Sequence, residues 1–377
     1  MSVAASKDRG LGADPTAFQQ DWTLTVVLRA TGDGSVLTEE PVSDADLAEA
    51  RSEAWLNGFL RQGHPDLPLE AVDPRMAPVF SDQRCIGFAL RAEAPGTEVS
   101  VHTFGVTCLA PVAQRASVRL LASGALGESE TYSYELKPRQ ATASLPSEAV
   151  DAISADDGGM QITTRRAPLR YASIALDPLL AGARTVDTIG DGIMPVLFSE
   201  PAHEKSWHYA RKGADRTPPV ETGSILIGEL AVCPETGEMF VAVHDAIEVI
   251  DAEQREFSLI PSSRTWTRVQ SVLNRLTAAD PGGTKRLVGQ SHGHNFVLDG
   301  EPCARCATAV ECGRTTVFVS AADRTFMRTV FAGQPFALCW IAGSNARGDE
   351  VATLFTLRAG VLQSRGYHVV ESFPSQS

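Results

Sequence analysis

Val220-Glu221-Thr222-Gly223-Ser224-Ile225-Leu226-Ile227-Gly228 is the stretch on which the reading of this 377-residue chain turns. From Thr222 to Leu230 the residues are small or apolar except Glu229, and the run predicts a buried strand. Gly223 and Gly228 predict that another backbone comes close to it, because a strand glycine commonly marks such an approach. Glu221 stands directly before the run. A charge there is ordinarily the solvated end of a strand.

Reading downstream, Arg286–Ser291 predicts a second strand that leads into Ser291-His292-Gly293-His294. Strand side chains alternate with period two, so histidines at i and i+2 point to one side. Neutral imidazole is a favoured zinc ligand, but H-x-H alone is equally well two loop histidines. Further on stands Ser320-Ala321-Ala322-Asp323, between a predicted strand over Thr316–Val319 and a helical run over Thr325–Phe331. Ser320 fits a helix N-cap with an acidic residue in the first turn. Met194–Phe198 and Phe240–Val249 read as further strands. Pro201–Lys212 reads as a helix with Pro201 in its first turn. A helix capped by Ser263 carries Trp266, Val269, Leu273 and Leu276 on one face. Strands and helices in alternation predict a layered α/β (α+β) domain, a mixed sheet flanked by helices.

A glutamate opening a glycine-bounded apolar strand, then H-x-H, then S-x-x-D, in that order, resembles the JAMM/MPN+ family of zinc metalloproteases. The resemblance spans the last half of the chain. It implies an MPN-type domain over 190–377, with one catalytic zinc held by His292, His294 and Asp323 and a position left open. It implies Glu221 as general base and Ser320 as donor to the oxyanion. It further implies cleavage after the C-terminal glycine of a ubiquitin-like protein, from an isopeptide bond or a short extension. The Arg-rich and Ala-rich composition looks bacterial. Bacterial relatives of this architecture deconjugate ubiquitin-like proteins beside ubiquitin-activating-like and ubiquitin-conjugating-like enzymes, in conjugation and antiviral defence. Two alternatives stand beside this reading: a metal-free MPN-like scaffold, and a peptidase that processes a sulfur-carrier protein. The chain departs from the family in one place. Asn295, not proline, follows His294, and Ser320 lies 26 residues beyond His294.

The extra segment, 297–316, contains Cys303, Cys306 and Cys312. C-x-x-C with a third cysteine nearby suggests a second, structural zinc, because an insert this poor in apolar residues has no core of its own. A disulfide and three free thiols are the rival readings. Asp299, Glu301, Glu311, Cys233 and His244 are the candidates for a fourth ligand. Otherwise His244 reads as a packed histidine near the site, Cys339 as core, and His64 and His368 as surface residues.

Residues 1–185 predict a β-rich accessory domain of unassigned fold that recognises substrate or partner. Its strands are Trp22–Arg29, Cys85–Arg91, Val99–Leu109, Ser117–Ala122, Thr131–Leu136, Met160–Thr164 and Leu169–Leu176. Its one long helix starts near Ser43, whose side chain can accept the N–H of Asp46, and runs through Leu60. Thr185–Gly192 reads as the linker. The formal charge of −13 argues against non-specific nucleic-acid binding, which needs clustered cations. Seven unevenly spread cysteines do not form a secreted disulfide framework. The polar N-terminus and the lack of a long apolar run predict a cytoplasmic protein with no membrane partner.

Overall fold

The computed structural model describes residues 13–374 apart from 65–66, 95, 128–129, 141–168, 191–192, 215, 217–218, 251–252, 256–257, 280–281, 295, 297–314, 332–333, 346 and 359–360. The chain divides into two compact units, Met1–Phe59 with Asp66–Leu169, and Leu60–Pro65 with Arg170–Ser377.

The first unit holds β1 (Trp22–Ala30), β2 (Val36–Pro41), α1 (Ala48–Trp55), β3 (Asp73–Ser81), β4 (Arg84–Glu93), β5 (Ser100–Gly105), α2 (Ala110–Ala122) and β6 (Tyr132–Gln140). Two three-stranded antiparallel sheets form, in orders β2-β1-β6 and β3-β4-β5. Leu24, Val26 and Leu28 of β1 share one core with Phe88, Leu90, Phe104, Val112 and Ala116. Ser43 does accept the Asp46 N–H, at 3.3 Å. The α-helix itself spans only Ala48–Trp55, and Leu56–Leu60 is a single wider π turn. Ser117–Ala122 is helix, not strand. Pro111 occupies the first turn of α2, and Val112, Ala113 and Ala116 bury one helical face. A six-residue run is too short to separate periods of 2 and 3.6. The predicted strand over Val99–Leu109 stops at Gly105, after which Val106–Leu109 is a 3-10 turn. Met160–Thr164 lies outside the described residues.

The second unit continues with β7 (Ala172–Ser173), α3 (Asp177–Ala181), β8 (Arg184–Val186), β9 (Val196–Ser199), α4 (Glu200–Arg211), β10 (Thr222–Val232) and β11 (Met239–Glu248). There follow the hairpin β12 (Glu253–Arg255) and β13 (Ser258–Ile260), then α5 (Ser263–Ala279), β14 (Arg286–Gly293) and α6 (Ala321–Val330). The chain closes with β15 (Leu338–Ser344), β16 (Glu350–Arg358), β17 (Val361–Arg365) and β18 (Tyr367–Val370). One curled, mixed sheet runs β17-β16-β15-β14-β10-β11-β9-β18-β8, with β7 paired to β10. The unit is of the α+β class.

Residues 170–185, read from sequence as the end of the N-terminal domain, belong to this second unit: β7 pairs with β10 and β8 with β18. The expected linker therefore begins inside a strand. Of the predicted strand Leu169–Leu176 only Ala172–Ser173 pairs.

Helices cover both faces of the sheet. On one, α5 lays Val269, with Trp266, Leu273 and Leu276, over Ile225, Ile227 and Ile247, and α6 lays Met327 over Cys339 and Ile341. On the other, His203 and Trp207 of α4 meet Trp340 and Tyr367. Ser199 caps α4, and Ser262, one residue before the predicted Ser263, supplies the cap of α5. Within the described residues no helix is long and apolar enough to cross a membrane.

Candidate metal centre

Three elements bring the site together. Glu221 enters β10, His292 and His294 lie at and beyond the end of β14, and Asp323 sits in the first turn of α6. Gly223 faces His292 across the β10/β14 ladder. A Cβ on Gly223 would stand 2.1 Å from the Ser291 carbonyl oxygen and 2.7 Å from the His292 Cα, so only glycine lets the strands meet there. Gly293 packs in the same way, since its Cβ would stand 2.1 Å from the Ala210 carbonyl oxygen of α4. These contacts hold the strand that carries both histidines.

Asp323 is fixed by a reciprocal cap. Ser320 N–H donates to Asp323 Oδ2 at 2.8 Å, and Asp323 N–H donates to Ser320 Oγ at 3.1 Å. Asp323 Oδ1 lies 3.1 Å from His292 Nε2, and Oδ2 lies 3.8 Å from His294 Nε2. The two Nε2 atoms are 3.1 Å apart, and Glu221 Oε1 lies 3.6 Å from that of His294. Glu221, His292, His294 and Asp323 are all buried. Every site residue predicted from this constellation is therefore brought to one place. Ser320, half-buried, still has its hydroxyl hydrogen to donate.

His294 Nδ1 lies 2.7 Å from the Thr316 carbonyl oxygen. That oxygen can only accept, so Nδ1 carries the hydrogen and the Nε2 lone pair turns inward. Burial, with His292 beside it, pulls the His294 pKa down to about 4, so the ring is neutral at pH 7. Burial also opposes a proton on His292, but Asp323 and Glu221 outweigh it and raise its pKa. For Asp323 burial again works against charge, and His292 and Ser320 hold the carboxyl below the ordinary range. Glu221 has no such support. Burial pushes its pKa up to about 7, with a lowering contribution from His292 and a raising one from Asp323. Its Oε1 is buried without a hydrogen-bond partner.

Two overlapping donor groups, Glu221–His292–His294 and His292–Asp323–Cys339, each lie within 4.8 Å. An inward lone pair on His294, the Nε2 of His292 beside it, two carboxylates and an unpartnered buried oxygen are a donor set that fits a divalent cation. Three participants carried no sequence signal. The Thr316 carbonyl is backbone. Cys339 was read as core, and it is fully buried, yet its sulfur borders His292 and accepts from Gln290 Nε2 at 3.6 Å. Phe318, 44% exposed, sets its ring against His294 with centroids 4.8 Å apart.

Some expectations fall elsewhere. Thr316–Val319 is not a strand; Thr316 N–H bonds singly to the Ser344 carbonyl, at 3.0 Å. His244 is packed, as read, but not near the site: its Nε2 lies 2.6 Å from Glu229 Oε1, and Lys285 Nζ lies 2.6 Å from the same oxygen. Glu229 is eight residues along β10 from Glu221, roughly 26 Å at strand rise. Cys233 is buried and donates to Glu235 Oε2 at 3.0 Å. Cys303, Cys306 and Cys312, with Asp299, Glu301 and Glu311, lie outside the described residues. His64 is exposed, and His368 is half-buried in β18.

Fold and site together define an α+β protein with a buried cluster of two histidines and two carboxylates that could hold a metal. Comparison with family models and with curated proteins finds no match to this chain. Among solved structures, the solution structure of protein DSY2949 from Desulfitobacterium hafniense is similar over 47% of this chain and 94% of its own. The identity is 13% and the TM-score 0.28, a likeness too low to carry an argument about fold or function.

Proposed function

We propose that the second unit is a zinc-dependent peptidase of the JAMM/MPN type, which cleaves after the C-terminal glycine of a ubiquitin-like protein. One observation carries the reading. Side chains 102 residues apart in sequence, from Glu221 to Asp323, converge in a buried cluster with Glu221 Oε1 left without a hydrogen-bond partner. A purely structural core has no use for that arrangement, since a buried unsatisfied oxygen costs about 1–3 kcal/mol.

His292, His294 and Asp323 would hold the ion. When bound, zinc polarises a carbonyl and acidifies a water toward neutral pH. Glu221 takes the proton of the attacking water and passes it to the departing amine, the lysine ε-amine when the bond is an isopeptide. Thr316 keeps His294 in the tautomer that directs Nε2 inward. Ser320 donates its hydroxyl hydrogen to the oxyanion of the substrate carbonyl. Phe318 offers an apolar edge at the mouth of the site. The bacterial conjugation or antiviral setting, the activating and conjugating partners and the recognition role of the first unit rest on the resemblance alone. The cytoplasmic location and a structural zinc on the cysteine insert rest on the sequence pattern alone.

The deciding experiment is Glu221→Gln. The substrate is a ubiquitin-like carrier joined through its terminal glycine to a lysine ε-amine, run beside the same carrier with a short peptide extension. The variant is expected to retain one zinc at this site and to lose cleavage by 100-fold or more, the size of a missing general base. Full cleavage by the variant would remove Glu221 from the chemistry. Purified protein without zinc would return the scaffold reading.

A further inference from the structure

The donors gathered at the metal centre outnumber those the peptidase reading uses. Zinc takes four ligands, and that reading draws three of them from the protein. Cys339 offers one more. It lies in β15 opposite Gln290 of β14, and His292 follows Gln290 by two residues, so Gln290, His292 and Cys339 share one face of the sheet. One donor atom each of His292, Asp323 and Cys339 lies within 4.8 Å of the others. A nitrogen and a sulfur on one tetrahedral zinc stand roughly 3.6 Å apart, a separation which that limit admits.

The bland account makes Cys339 a small apolar core residue, and Val317, Met327 and Ile341 do belong to its cluster. Two observations go beyond that account. Gln290, itself buried, donates an amide N–H to the Cys339 sulfur at 3.6 Å, the kind of outer bond that steadies a ligating group. In the same cluster Glu221, 3% exposed, lies 3.6 Å from His294 Nε2 with its Oε1 lacking any hydrogen-bond partner. A carboxylate oxygen so placed calls for a cation among these donors.

We infer that Cys339 is the fourth protein ligand of the resting metal centre, its sulfur filling the position that water takes when the centre works. The inference rests on the metal centre proposed above and deepens it, because a thiolate makes the centre selective for thiophilic divalent ions over magnesium or calcium. A coordinating thiol is deprotonated outright. The Cys339 Sγ–H bond therefore breaks, its electron pair goes to the ion, and its proton leaves with the water that the sulfur replaces. Cys339 takes that proton back when water returns.

Cobalt(II), loaded into the metal-stripped full chain, tests this without any assay of cleavage. A thiolate on cobalt gives a near-ultraviolet charge-transfer band that nitrogen and oxygen ligands do not give, while the visible bands report bound cobalt whatever its ligands. Cys339→Ser is expected to lose charge-transfer intensity, to keep the visible bands, and to bind zinc roughly tenfold more weakly or worse, since loss of even an outer-shell partner costs that much. A second chain, with Cys303, Cys306 and Cys312 replaced by serine, removes any signal from the insert and should keep the band. That chain also decides the matter if Cys339→Ser fails to fold. X-ray absorption of its bound zinc should show sulfur at about 2.3 Å beside nitrogen and oxygen at about 2.0–2.2 Å. Undiminished charge transfer in Cys339→Ser, or a zinc shell of nitrogen and oxygen alone, would overturn the proposal and leave the peptidase reading standing. Sulfur in the shell of a chain that cleaves no carrier would uphold the proposal and overturn the peptidase reading.

Discussion

Glu221 is the residue most at odds with its surroundings. Its pKa stands at about 7 against an ordinary 4.5, chiefly because burial penalises the charged form. The sign of the linkage follows. Between those values the folded metal-free protein binds more protons at Glu221 than the unfolded chain does, so stability falls as pH rises from 4.5 to about 7. Above that the full penalty, about 3 kcal/mol, is present. Glu221→Gln removes the charge and keeps the shape. The metal-free variant should therefore be more stable than the parent at pH 8, by about 2 kcal/mol in urea unfolding, and equal to it at pH 4. Zinc should shrink the difference at pH 8, because a cation beside the carboxylate favours its charge. A metal-free variant less stable than its parent at pH 8 would show that the carboxylate has support not seen here. At this scale the sequence spoke clearly for Glu221, His292, His294, Ser320 and Asp323, because each sits in a local pattern that orients it. It was silent on Cys339 and Thr316. A cysteine in an apolar strand looks the same whether its neighbour is leucine or a histidine ligand, and a carbonyl has no letter.

Elements set these residues in place through close contact of backbones. Gly223→Ala would drive a Cβ into the Ser291 carbonyl and the His292 Cα, where neither strand can yield cheaply. It should cost about 2–3 kcal/mol and, by shifting β14 against β10, weaken zinc binding while leaving every proposed ligand in the chain. Wild-type zinc affinity in a destabilised variant would show that the register does not place the histidines. At the far end of β10 a different device is at work. Burial raises the Glu229 pKa, but His244, Lys285 and Thr284 more than offset it and hold the pKa at about 2. The sign is opposite to that of Glu221. This contribution is present above pH 4.5 and disappears as pH falls toward 2. Glu229→Gln should lower stability by about 3 kcal/mol at pH 7, much of it from stranding the Lys285 charge. The loss should fade in the same acid window, by urea unfolding at stepped pH. One strand thus carries a destabilised carboxylate at its start and a stabilised one within. Glycines and caps made β10, β14 and α6 legible. The α2 segment was not, because its burial depends on which face meets the core. Nor were β7 and β8, strands of two and three residues whose pairing is set by a sheet built mostly from later sequence.

Across the whole molecule, the two units differ in what their folding should depend on. Burial in the first is mostly apolar. The second encloses, at the candidate metal centre, two histidines, two carboxylates and an unpartnered oxygen. A metal that binds only the folded form adds stability by mass action, about 4 kcal/mol when its concentration exceeds Kd a thousandfold. For a unit of roughly 200 residues each kcal/mol moves the midpoint by about 2–4 °C. Chelation should therefore lower the melting transition of the second unit by roughly 10 °C and leave that of the first where it was. Calorimetry before and after chelation, with zinc added back, reads both together. In Asp323→Asn the chelator shift should largely vanish, because the lost charge weakens the site while the amide oxygen can still meet the Ser320 N–H. A chelator shift of full size in Asp323→Asn would mean that the stabilising metal is held elsewhere, and the converging side chains would then need another explanation. Equal shifts in both transitions would mean that the metal acts on the chain as one folding unit.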